Sequence, residues 1–138
     1  MLSSFHELNY LAILIATVLG FAFGAVWYTL LFGRVWRTEM KLPELAPSQR
    51  PNMAPYFIKG LIYTFISTVA LAWLIALAGT VGSRHGAALG AGLGLLVVGA
   101  RFSNSAIWEN KSARLMAINI GHEVLLFALQ GAILARWL

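Results

Sequence analysis

The sequence predicts an all-α integral membrane protein built as a four-helix bundle, and three observations carry that prediction. Of its 138 residues, 59% are hydrophobic and only 11% charged, where soluble globular chains are about 45 to 50% apolar and about 25% charged. The apolar residues gather into four runs, each long enough at about 1.5 Å per residue to cross a hydrocarbon layer of about 30 Å. None of these runs alternates with period two, so they read as helices rather than as barrel strands. In hydrocarbon every backbone N–H and C=O needs a partner, and a helix supplies one within the segment itself. With no cysteine, a disulfide framework and a zinc–thiolate centre are both excluded.

The first run, 8–31, has no basic stretch ahead of it and leads into Arg34 without a small-residue cleavage site, so it reads as a retained span rather than a signal peptide. The others are 57–78, 86–107 and 115–138, and residues 1–138 read as a single transmembrane domain. The long connection, 32–56, holds all four prolines, Pro43, Pro47, Pro51 and Pro55. Proline fixes φ and lacks an N–H, and this spacing is not that of polyproline ligands, so a stiff irregular hairpin is expected there. Residues 79–85 read as a tight turn.

Ten Lys and Arg against five Glu give a net charge of +5. In a soluble chain that balance would point to nucleic acid. Here the basic residues lie between apolar spans, so the expected partners are the lipid bilayer and its anionic headgroups at the cytoplasmic face, and no nucleic acid. Arg34, Arg37, Lys41, Arg50, Lys59, Arg101, Lys111 and Arg114 fall at one end of the spans, and Arg84 and Arg136 at the other. Basic residues favour cytoplasmic flanks, which makes the expected topology N-out, C-out, with the 32–56 loop cytoplasmic. Trp27, Tyr28, Trp36, Trp108 and Trp137 fit an interfacial aromatic belt.

Lipid tails are as apolar as leucine, so helices in a bilayer associate through close fit and polar contacts. Small residues recur every fourth position at Ala12, Ala16, Gly20 and Gly24, and again at Gly82, Gly86, Gly90 and Gly94. Ala16, Gly20, Gly24, Gly86, Gly90 and Gly94 are therefore expected at helix contacts inside the chain, or at the seam of a homo-oligomer.

Ionisable groups inside a bilayer are costly and mark candidate functional sites. In the fourth span Asn119, His122, Glu123 and Gln130 fall within about 100° of arc, forming one polar stripe. His122 and Glu123 lie ~10 to 12 Å below the surface at which the span begins. Arg101, Asn104 and Ser105 of the third span share a face that continues the Gly90 and Gly94 stripe, and Arg101 lies ~9 Å deep, level with Glu123. Adding Tyr28 and Tyr63 at similar levels, the expected pocket for an ion, a proton or a small polar solute comprises Tyr28, Tyr63, Arg101, Asn104, Asn119, His122 and Glu123. Alternatively, Arg101 and Glu123 neutralise each other and fix helix register. A metal site within the membrane needs more than one histidine, and none is expected there. His6, Glu7 and His85 at the other surface leave a weak external metal site geometrically open, but read first as ordinary solvated residues. No cofactor is expected, nor an enzyme, since Ser103 and Ser105 stand in no nucleophile motif.

The run Asn9-Tyr10-Leu11-Ala12, followed by Gly24-Ala25-Val26-Trp27-Tyr28 and Leu31-Phe32-Gly33-Arg34-Val35-Trp36, resembles family 1761 of the domains of unknown function. Those are small four-helix bacterial membrane proteins. The likeness resumes at Ile118-Asn119-Ile120-Gly121-His122 and at Gly131-Ala132-Ile133-Leu134. Where that family usually has Ser-Pro after the Trp-Tyr pair, this chain has Thr29-Leu30. The resemblance implies that Trp27, Tyr28, Gly33, Trp36, Asn119 and His122 are motif positions, and it implies a fold but no reaction. The expected function is that of a small channel or transporter-like protein of the bacterial inner membrane, as a homo-oligomer. The alternative is a non-transporting accessory or assembly subunit of a larger membrane complex.

Overall fold

A computed structural model describes residues 7–137. Helix α1, Tyr10–Val26, continues through a π turn, Trp27–Leu31, and is followed by the short α2, Gly33–Glu39. Then come α3, Ala54–Leu77, and α4, Ser83–Leu93, which runs through a π segment, Gly94–Gly99, into α5, Ala100–Trp108. Helix α6, Ala113–Trp137, closes the chain. No strand occurs among the described residues. Four helical stretches, Tyr10–Leu31, Ala54–Leu77, Ser83–Trp108 and Ala113–Trp137, are long and apolar enough to cross a bilayer, as in a multi-pass membrane protein. The long connection is less irregular than the prolines suggest, because α2 forms before the first of them. Pro47 opens a single 3-10 turn, and Pro55 stands in the first turn of α3, where a missing N–H leaves no partner wanting.

The bundle has two ends. At the loop end lie the long connection and the Glu109–Ser112 turn; at the terminal end lie the start of α1, the close of α6 and the turn between α3 and α4. Helix α6 is central, packing on α1, α3 and α4. Its approach to α4 is the closest. A Cβ added to Gly86 or Gly90 would overlap the carbonyl oxygens of Gly131 and Phe127 respectively, and one added to Gly94 would lie 2.8 Å from the Glu123 carbonyl oxygen. Backbones can come this near only where neither helix interposes a side chain. The next glycine on that face is Gly99, five positions on. Five residues of regular α-helix overshoot the starting face by about 140°. The π segment takes up the extra residue and keeps Gly99 on α6, with its Cβ position 3.2 Å from Ile120 Cγ2.

At the terminal end, Leu8, Ala12, Ile13 and Ala16 pack with Leu71, Ala72 and Ile75 of α3 and Leu134 and Ala135 of α6 in a buried apolar cluster. Asn9 caps α1 by accepting from the Ala12 N–H at 3.0 Å, and its amide donates to the Trp137 carbonyl at 3.1 Å. Gly82, at φ +90°, lets its N–H reach the Ala135 carbonyl at 2.8 Å, tying the α3–α4 turn to α6. At the loop end, Ser112 caps α6 by accepting from the Leu115 N–H at 3.1 Å, while its hydroxyl donates to Glu39. Glu39 also lies 3.6 Å from the Arg114 guanidinium, so α2 is pinned to the first turn of α6. Beyond α5, hydrogen bonds from Lys111 and then Ser105 hold the exposed Glu109 carboxyl below its usual range.

Alanine at Gly90 should destabilise the α4–α6 pair by about 1 to 3 kcal/mol, because backbone rather than a flexible side chain occupies the space. The same change at Gly92, which meets nothing within 4 Å, should cost nothing and gain alanine's helix preference, at most about 1 kcal/mol. Unfolding of both variants in detergent micelles measures the difference.

Candidate functional site

The imidazole of His122 is buried at the loop half of α6, packed against α1. It stacks on Phe23, with ring centroids 5.6 Å apart and planes 14° from parallel, and is flanked by Tyr28 at 4.8 Å and Trp27 at 6.1 Å. Its Nδ1 lies 3.0 Å from Glu123 Oε1. With an ionised carboxylate as acceptor, the proton sits on Nδ1. Nε2 is buried with no hydrogen-bond partner and lies 3.1 Å from the position a Cβ would take on Gly24. The ring edge therefore rests against α1 where that helix presents only backbone.

The π turn of α1 builds the aromatic walls. The Thr29 hydroxyl donates to the Ala25 carbonyl at 2.6 Å, a back-bond that competes with the helical ladder, and the turn closes through the Phe32 N–H to the Trp27 carbonyl at 2.9 Å. One extra residue in the turn lets two adjacent side chains reach α6 together. Trp27 Nε1 donates to the Ile118 carbonyl at 3.1 Å, and the Tyr28 hydroxyl donates to Asn119 Oδ1 at 3.2 Å. Gly121 leaves room for the indole, its Cβ position lying 3.4 Å from Trp27 Cζ2.

Two turns further along α6, Gln130 is fully buried and donates to the Thr68 hydroxyl at 2.8 Å. Thr68 in turn donates to the Thr64 carbonyl at 2.7 Å. The Cβ position of Gly20 lies 2.7 Å from Gln130 Nε2. Gly20 and Gly24 thus accommodate polar side chains of α6, whereas Gly86, Gly90 and Gly94 accommodate its backbone; Ala16 lies in the apolar cluster.

Of the seven residues expected in one pocket, Tyr28, Asn119, His122 and Glu123 come together and three do not. Tyr63 is 71% exposed on the outer face of α3, whose buried residues are Thr68, Leu71, Ala72 and Ile75. Arg101 and Asn104 are exposed on α5. Glu123 is bonded to His122, and no Arg101–Glu123 ion pair forms. The reason is the π segment. Counting about 100° per residue from Gly94 puts Arg101 on the α6 side, but the added residue turns α5 back by about that amount and gives the position to Gly99. Trp27, expected in the interfacial belt, is buried beside His122. Two signals mark it in the sequence: Phe23 stands one helical turn before it, and Gly121 adjoins His122. His6 lies outside the described residues, and His85 sits exposed with Nδ1 3.1 Å from the Val81 carbonyl oxygen.

A family model described as "Protein of unknown function (DUF1761)" matches residues 11–135, nearly the whole chain. No curated protein and no solved structure matches.

Removing the Gln130–Thr68 bond by Gln130→Leu and Thr68→Val, singly and together, should give a coupling of about 0.6 kcal/mol and at most about 1.7, the range for hydrogen bonds between membrane helices. A double-mutant cycle of unfolding in micelles reads it directly.

Proposed function

The chain belongs to the DUF1761 family, whose description carries no activity, and we propose that it is a channel or transporter-like protein whose bound species is a proton held at His122 and Glu123. The observation that carries this reading is the two-sided imidazole, with Nδ1 on a carboxylate and Nε2 buried and bare. Histidine is the side chain whose charge changes near neutral pH, and it moves protons by accepting on one nitrogen and releasing from the other. The rings of Phe23, Trp27 and Tyr28 enclose the imidazole closely, a fit for a proton rather than for a solute with a volume of its own. An ionisable pair within a spanning helix carries a functional assignment by default. The reading places the protein in the bacterial inner membrane, loop end toward the cytoplasm, because that end carries eight of the ten basic residues.

A second reading, an accessory subunit, is supported by Arg101 and Asn104, which face outward from α5, and by the exposed first half of α3. It predicts a heterologous membrane protein in fixed ratio after purification in mild detergent, where the first reading predicts this chain alone.

Vesicles holding the purified protein and an internal pH dye test the proposal. The protein should dissipate an imposed pH gradient, and Glu123→Gln should slow that at least about tenfold, toward the leak of protein-free vesicles. Dissipation at an unchanged rate in the variant would overturn the proposal.

A further inference from the structure

Beside the Trp27 indole lies an open cleft of about 460 Å³, within the usual size of a small-molecule site, and His122 is not among the residues that line it. Trp27, Phe32 and Val35 form one wall, Ala117 and Gly121 the other, and Arg114 is the charged residue among those lining it. Arg114 is the second residue of α6, at the level where that span enters the membrane, and Gly121 lies about 10 Å deeper along the helix. The cleft therefore runs from a cationic mouth at the surface to an apolar floor within the hydrocarbon layer. Glu39 does not close the mouth. Its carboxylate is held by Ser112 and lies 3.6 Å from an Arg114 guanidinium that remains 73% exposed. Arg34 and Arg37, exposed on α2, stand at the same end.

We propose that this cleft is a binding site for one anionic phospholipid, with an acyl chain between the Trp27 wall and α6 and the phosphate on Arg114. The chemistry of the walls selects the occupant. An apolar lining offers a buried solute nothing but hydrophobic contact, while the largely exposed Arg114 guanidinium, beside Glu39 at headgroup depth, still offers an anion a hydrogen-bonded partner. Both demands are met by an amphiphile already dissolved in the membrane. This site is separate from the His122–Glu123 pair and does not depend on proton movement there.

Native mass spectrometry of the full chain in mild detergent, titrated with phosphatidylglycerol or with phosphatidylcholine of the same acyl chains, tests the assignment. One phosphatidylglycerol per chain should be retained about fivefold more tightly than phosphatidylcholine, the difference one basic residue near a membrane surface makes. Arg114→Gln should erase that preference and leave phosphatidylcholine binding as it was. Ala117→Phe, at an exposed position on the cleft wall, should weaken both lipids by filling the groove, and its unfolding profile checks that the bundle is intact. A wild-type protein without headgroup preference, an Arg114→Gln variant that keeps it, or an Ala117→Phe variant that holds lipid as before would each overturn the proposal. So would displacement of the lipid by inorganic phosphate, which would mark a site for a soluble anion.

Discussion

Helices α4 and α6 meet backbone to backbone along Gly86, Gly90 and Gly94, and the geometry of the bundle depends on that contact. In a bilayer there is no hydrophobic gain from joining two apolar helices, so attraction comes from many short-range contacts and from polar pairs. Close glycine packing maximises the first and leaves little rotational freedom. Once the Gly131 face of α6 is held against α4, the azimuth of every other residue on α6 follows. His122 then faces Gly24, and Gln130 faces Gly20 and Thr68.

The two glycine stripes look alike in sequence and act differently. On α4 the missing side chains bring two backbones together. On α1 they open space for an imidazole and a carboxamide, so the centre of the bundle holds polar groups that would otherwise collide with a methyl. Both His122 Nε2 and Gln130 Oε1 are buried without hydrogen-bond partners, a costly arrangement in a low-dielectric interior. Packing and chemistry are therefore one problem on this face, because the residues that let α1 approach α6 also determine what surrounds the imidazole.

The four spans were legible because length and hydropathy are properties of whole segments, insensitive to a shift of a residue or two. The polar stripe of α6 was legible as well, since that helix is regular for 25 residues and rotation can be counted along it without error. On the third span a π segment at Gly94–Gly99 changes the rotation without changing the composition, and it turns Arg101 and Asn104 away from the side that regular helical spacing assigns them. Its trace is the step from four-residue to five-residue glycine spacing at Gly99. Tyr63 shares the depth of the site but not its face, because α3 turns that side outward. Trp27 stands near the end of a span, where indoles usually face the interface, and only the tertiary contact with Ile118 and His122 reveals its burial.

The π turn at Trp27–Leu31 amounts to one residue inserted into an otherwise regular helix. Such a turn absorbs its extra residue between flanks that keep helical register, so excising one residue there would let α1 close as a regular α-helix with the chain beyond it still carried to the same side of the bundle. The loss would be local, in the spacing that sets Trp27 and Tyr28 side by side against α6. The extra residue thus serves two side chains and not the course of the chain.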